Sequence, residues 1–170
     1  MTINALFAVD HYGGMGVNGT RPWPQTTHNL DVLKRLTHNN VVVMGRRTWN
    51  DTVMPKPFLG RIVYVATHTS VALAGTVSGD IVSQVLRLEQ ENPTRSIWIV
   101  GGPQLIESCV NILDSVYLTH VRGSFKIDTK IELRSFLTGF VPVRAEVAPD
   151  FRSTLVKYTP IFKRQINNAS

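Results

Sequence analysis

Val41-Val42-Val43-Met44 is the stretch that most restricts what this chain can fold into. A continuous run of β-branched and apolar residues fills an interior parallel strand covered on both faces, whereas a half-exposed strand would alternate. The run stops at Gly45, and Arg46-Arg47-Thr48-Trp49 begins a helix that ends by Pro55. The same order of strand then helix recurs along the chain. Ile3 to Val9 reads as a buried strand, and a short helix from His28 follows Pro22-Trp23-Pro24, whose prolines exclude regular structure. Ile62–Ala66 is a strand, Asp80–Glu91 a helix closed by Asn92-Pro93, and Ile97–Val100 a strand. That strand leads through Gly101-Gly102 into a helix from Pro103 to Asn111, with proline at its first position. Val116–Val121 is a further strand, and the segments Val141–Val147 and Ser153–Phe162 read as long antiparallel strands. Alternation followed by a β-rich tail predicts an α/β fold, a largely parallel sheet with antiparallel strands added at one edge.

The 170 residues suit a single domain, expected over 1–166 with 167–170 as a frayed end. No apolar run approaches the roughly 18 residues of a membrane span, and the opening MTINALFAVD lacks the basic start of a secretory signal. The cytoplasm is therefore the expected compartment, with no membrane partner. Cys109, the single cysteine, lies in an apolar helical pattern and reads as a small buried hydrophobe rather than a nucleophile. A net charge of +6 suits an anionic partner. The basic residues are dispersed and carry no zinc or helix-turn-helix pattern, so a phosphorylated cofactor or polycarboxylate accounts for the sign as well as nucleic acid does.

In the first helix, Thr26 or Thr27 offers an N-cap hydroxyl, and Leu30, Leu33 and Leu36 form the apolar stripe. Asn29 shares the face of Leu30 and Leu33, whereas Asp31 is turned about 200° from it. A polar residue on a leucine face is either a cap or a site residue. Gly13, Gly14, Gly16 and Gly19 make the stretch before this helix a mobile loop. Two strand-to-helix junctions, Met44-Gly45-Arg46-Arg47-Thr48 and Val100-Gly101-Gly102-Pro103-Gln104, are either plain turns or anion sites. Both fall at the carboxyl ends of predicted parallel strands, where open α/β sheets bind ligands, and together they suit a dinucleotide.

These pieces, in this order, resemble dihydrofolate reductase over nearly the whole chain. The resemblance rests on Ala8-Val9-Asp10, the glycine loop into Pro22-Trp23, Leu30…Leu33-Lys34-Arg35…Thr37, and VVMGRRTW (Val42–Trp49). It continues through Gly60-Arg61, IVGG (Ile99–Gly102), YLTH (Tyr117–His120) and Asp128-Thr129. It implies an eight-stranded, mostly parallel sheet with four flanking helices, a monomer, and hydride transfer from NADPH to dihydrofolate. It implies no metal. By the resemblance, Gly45, Arg46, Arg47 and Thr48 hold cofactor phosphates, with Arg47, Thr67 and His68 near the adenosine 2′-phosphate. Gly101-Gly102 is the pair whose cis peptide lets the amides of Gln104 and Leu105 meet the pyrophosphate. Ala8, Gly16, Asn18 and Trp23 belong to the loop over nicotinamide. Leu6, Leu30, Leu33, Met54 and Val100 wall the substrate pocket, and Arg61 pairs with a substrate carboxylate. Lys34 reads as a solvated helix face.

The sequence departs from the family in two places. The family puts a carboxylate on the first helix, six residues after the tryptophan in vertebrate-type spacing, and counting from Trp23 lands on Asn29. Thr119, which supports that carboxylate in the family, is present. Arg21 stands where an apolar residue usually precedes Pro-Trp, which bears on loop closure. With Asn29, Thr119 and Trp23 as the catalytic set, the resemblance implies reduction of dihydrofolate without the usual acid. The alternatives are reduction of another heterocycle, of the riboflavin-pathway type, or binding of pterin and cofactor with weak turnover.

Overall fold

The computed structural model describes residues 1–24 and 27–165. Its strands are β1 (Ile3–Val9), β2 (Gly14–Gly16), β3 (Val41–Gly45), β4 (Ile62–Ala66), β5 (Gly75–Val77), β6 (Ile97–Ile99), β7 (Ser115–Val121), β8 (Thr129–Lys130), β9 (Phe140–Val147) and β10 (Ser153–Pro160). Eight of them form one sheet in the order β5-β4-β3-β6-β1-β7-β10-β9. Every pairing from β5 to β7 is parallel, and β10 runs antiparallel to both β7 and β9. The expected architecture is therefore found: a mostly parallel sheet with an antiparallel edge.

The helices are α1 (Thr27–Thr37), α2 (Arg46–Asn50), α3 (Ile81–Glu91), α4 (Pro103–Ser108) and α5 (Leu133–Phe136), with a 3₁₀ turn at Val110–Ile112. The fifth helix, beyond the four expected, is a single turn that carries Phe136 into edge contact with Phe7, ring centroids 5.6 Å apart. The expected helix Pro103–Asn111 breaks after Ser108 into the 3₁₀ turn. Thr26 as N-cap and the 167–170 tail lie outside the described residues.

Alternation along the parallel strands explains how two cores form around one sheet. Ile3, Ala5, Phe7 and Val9 of β1 join Val41 and Val43 of β3 against α3 and α4. Leu6, Val42, Met44, Val63 and Val65 face the other way, onto α1 and the Trp49–Phe58 segment. Both faces of the central strands are thus apolar, which is why Val41–Met44 reads as an unbroken run. Cys109 is fully buried in the first core, and burial pushes its thiol up to about 11, so it behaves as a hydrophobe. Among the described residues, no helix is long and apolar enough to cross a membrane.

One tie sets the C-terminal segment. Arg164 donates to Asp114 at 2.9 and 3.1 Å and to Glu89 at 2.5 and 3.2 Å, while Asp114 also accepts the Ile3 amide at 2.8 Å. The start of β1, the end of α3 and the approach to β7 are thereby joined through one guanidinium. Its side chain is only 10% exposed, so removing it leaves two carboxylates facing each other in a poorly solvated site. Arg164→Ala is expected to destabilise the fold by about 3 kcal/mol, lowering Tm by roughly 6–12 °C in thermal unfolding followed by circular dichroism.

Candidate active site

The carboxyl ends of β1, β3, β6 and β7 open into a cleft of ≈ 730 Å³, roofed by α1 and the segment before it. Because β1 and β7 are paired with Ala8 opposite Thr119, both residues present their side chains to the α1 side. Open parallel sheets place ligand sites at such strand ends. The floor is held by two backbone hydrogen bonds, from the Gly45 amide to the Gly101 carbonyl, 2.7 Å, and from the Val100 amide to the Val43 carbonyl, 3.0 Å. Gly101-Gly102 is a cis peptide, and Gly101 has φ 130°, a left-handed conformation that favours glycine. A Cβ on Gly101 would stand 3.1 Å from Thr48 Oγ1, whereas one on Gly102 would meet nothing within 4 Å. Gly102 is thus open to the cleft where α4 begins. Arg46 and Arg47 are exposed beside this floor, and Arg46 Nη1 donates to Thr69 Oγ1 at 3.1 Å. Among the described residues neither arginine has a carboxylate partner. Glycines that admit a close backbone, next to uncompensated guanidinium groups, fit the phosphates of a dinucleotide.

At the α1 end the cleft is apolar, with Leu6, Val32, Leu33, Met54 and Val100, and it contains two unsatisfied polar atoms. Asn29 Oδ1 and Trp23 Nε1 are both buried without a hydrogen-bond partner. A buried acceptor and a buried donor left open in one cavity mark where a ligand or an ordered water completes the site. Asp31 is exposed, as its helical angle requires, and takes no part. Asp51, at the end of α2, is the one carboxylate lining the cleft among the described residues, and its Oδ1 accepts the Val53 amide at 3.1 Å. It faces Arg21: burial holds that guanidinium below the ordinary arginine value, while the Asp51 charge acts in the opposite direction.

The glycine loop is itself paired, in a small two-stranded sheet separate from the main one. β2 pairs with β8, Asp128 accepts the Asn18 amide at 2.8 Å, and the Asp128 amide donates to Gly16 at 2.9 Å. Asp10, at the end of β1, accepts from the amides of Tyr12, Gly14 and Phe125. These carboxylates bind the loop at both ends and set its path along the cleft.

Of the residues expected in the site, Leu6, Ala8, Gly16, Trp23, Asn29, Leu33, Gly45, Arg46, Arg47, Thr48, Met54, Val100, Gly101, Gly102, Gln104, Leu105 and Thr119 line this one cleft. Asn18, Leu30, Arg61, Thr67 and His68 do not. Leu30, on α1, packs against the second core, and Thr67 and His68 follow the end of β4. Arg61 caps α1 instead: its Nε donates to Thr37 Oγ1 at 3.1 Å, its Nη1 to the Leu59 carbonyl at 2.6 Å, and its Nη2 to the Lys34 carbonyl. Sequence reasoning missed Asp51, and it noted Asp128-Thr129 only as part of the resemblance, without giving Asp128 a role. Asp51 carries no periodic signal, and Asp128 becomes significant only through a pairing more than a hundred residues apart.

Fold and cleft together define an α/β protein that takes a phosphate-bearing cofactor along its strand ends and a flat, largely apolar ligand against α1. A profile of the dihydrofolate reductase family matches residues 2–136. The chain is 30% identical over 142 residues to dihydrofolate reductase type 9 of Escherichia coli, covering 79% of this chain and 78% of that protein. It is 27% identical over 145 residues to dihydrofolate reductase type 8 of Escherichia coli, with 81% and 85% covered. The fold superposes on a dihydrofolate reductase from Enterococcus faecalis complexed with NADP(H) and RAB-propyl, with TM-score 0.75, 19% identity, and 94% and 96% of the two chains covered. The chain belongs to the dihydrofolate reductase family. Its reaction class is that family's NADPH-dependent oxidoreduction at a CH–NH bond.

The loop contact gives a pH dependence whose sign is fixed. The amide of Asn18, then the Thr129 hydroxyl, holds the Asp128 carboxyl below its ordinary 3.8. A depressed carboxyl supports its contact above that value and loses it as pH falls through the lowered one. The Asn18 amide resonance is therefore expected to hold steady from neutral pH to 4 and to shift only below 3.8. Asp128→Asn is expected to flatten that titration in two-dimensional NMR.

Proposed function

We propose that this chain reduces 7,8-dihydrofolate to 5,6,7,8-tetrahydrofolate with NADPH, using an amide where the family has an acid. The observation that supports this reading is the buried, unpartnered Asn29 Oδ1 in a cleft shared with Thr119 and with the phosphate-binding floor. Arg46, Arg47 and Thr48 hold cofactor phosphates, with Thr67 and His68 at the outer end, and the Gly101-Gly102 turn leads the Gln104 and Leu105 amides to the pyrophosphate. When bound there, the nicotinamide supplies hydride. Ala8, Gly16 and Asn18 position the loop over it. Leu6, Leu33, Met54 and Val100 exclude water from the substrate ring, with Leu30 behind them. Arg61 uses three of its N–H donors on α1 and Leu59, which leaves two of a guanidinium's five for a substrate carboxylate. The protein acts as a monomer in the cytoplasm, with no nucleic-acid partner.

The substrate ring edge presents two donors. A carboxylate accepts both, whereas Asn29 has one acceptor and its own NH₂ donor, so one ring donor is matched through water, with Thr119 beside it. Asn29 carries no charge to stabilise a protonated N5, and the Asp51 charge acts on Arg21 across the cleft. Protonation is therefore left to solvent, through a water that Trp23 Nε1 holds by donation.

Turnover, followed at 340 nm, is expected to rise steadily as pH falls from 8 to 5; a flat trace with cofactor binding intact, or activity only on an aminouracil, would reject the reading. Asn29→Asp restores a charge-assisted pair of roughly 1.5–3 kcal/mol, so turnover at neutral pH is expected to rise about ten- to a hundredfold. Asp51→Asn should leave the profile's shape unchanged. Diaminopyrimidine antifolates, whose protonated ring needs an anionic partner, are expected to bind weakly, and nanomolar affinity in calorimetry would contradict the role given to Asn29.

A further inference from the structure

A second cleft, of ≈ 610 Å³, opens between the end of β1, the loop after β7 and the turn joining β9 to β10. Among the described residues it shares none of its lining with the active cleft. Its rim carries Phe151, which is 70% exposed and has φ 58°. A bulky side chain in the left-handed region is uncommon, and glycine or asparagine would make this turn without that cost. Among the described residues no aromatic partner engages the ring. An aromatic residue held exposed and strained at the mouth of a cavity is a candidate contact for a ligand.

The remaining lining gives the chemistry of that ligand. Arg122 stands at the rim without a carboxylate partner among the described residues, and His11 lies on the same side. Asp10 also borders the cleft, but its oxygens already accept the amides of Tyr12, Gly14 and Phe125. His120, which lines the cleft, has its Nε2 2.9 Å from the Tyr158 hydroxyl, and Ser153 at the start of β10 lines the cleft as well. We propose that this cleft binds a small aromatic anion, its ring against Phe151 and its carboxylate or phosphate on Arg122. The guanidinium supplies forked donors for either group, and the exposed ring supplies the stacking face.

Phenyl phosphate serves as the probe, titrated into ¹⁵N-labelled protein saturated with NADP⁺ so that the Arg46–Thr48 floor is filled. Saturable shifts are expected at Gly123, Ser153 and Thr154, with inorganic phosphate much weaker. Arg122→Gln should weaken binding about tenfold. Phe151→Gly should abolish it while Tm stays unchanged or rises, since glycine accepts this φ freely. The proposal is overturned by shifts that do not saturate or are confined to the active cleft. It is equally overturned if inorganic phosphate binds as tightly as phenyl phosphate, or if either variant binds like the parent.

Discussion

The hydrogen bond from the Gly45 amide to the Gly101 carbonyl fastens together the ends of two neighbouring parallel strands, and the site depends on it. Strands β3 and β6 come from distant parts of the sequence and lie side by side because the chain crosses back between β5 and β6. At their ends both backbones must approach closely. A Cβ at Gly45 would stand 3.4 Å from both Gly101 O and Gly102 N, at the near edge of ordinary contact, so little beyond a glycine fits without crowding. Glycine at each end therefore serves packing and ligand approach at once. The same closeness brings Arg46 and Arg47 of one strand end to the cleft that Gly102 of the other also lines, so the floor proposed for phosphates follows from sheet order.

The elements most legible in the sequence are those whose pattern is local and apolar. Val41–Met44, Ile62–Ala66 and Ile97–Ile99 announce interior strands because both their faces are covered. β5 was not legible: Gly75 and Thr76 are exposed, and three residues make no period. β2 and β8 likewise exist only as a pair, and a glycine stretch that reads as a loop becomes a strand once Thr129 and Lys130 come beside it. In the site, the glycine turns and their arginines were visible from spacing. Asp51, the contact of Asp128 with Asn18 and the tie of Arg164 to Glu89 and Asp114 were not, because a single polar residue signals nothing until the partner it meets is known.

Arg61 shows how one residue reads differently from the two directions. From sequence it stands beside a glycine turn and suits a carboxylate ligand. In the structure its guanidinium first secures the last turn of α1, by donating to Lys34, Thr37 and Leu59, and it lies 4.5 Å from the Phe58 ring. The two roles are compatible, since a planar fork held by three donors is already ordered and loses little freedom on meeting a ligand. An anchor of this kind presets the geometry that substrate binding would otherwise have to impose.

The charge balance of the cleft then follows. In most pockets for a cationic transition state, the protein supplies a fixed negative charge close to where positive charge develops. Here the α1 residue is neutral, the remaining carboxylate lies opposite Arg21, and the floor is cationic. Such a cleft favours the anionic cofactor and gives no electrostatic help to a protonated ring. Under the proposed function the consequence is a division of labour: the protein orients and desolvates, the cofactor carries the negative charge into the site, and the proton comes from water. A cleft arranged this way is limited by how often the ring is protonated while the loop is closed over it. In that proposal the contacts of Asp128 with Asn18 and Gly16, which set the loop's path along the cleft, matter to turnover alongside Asn29.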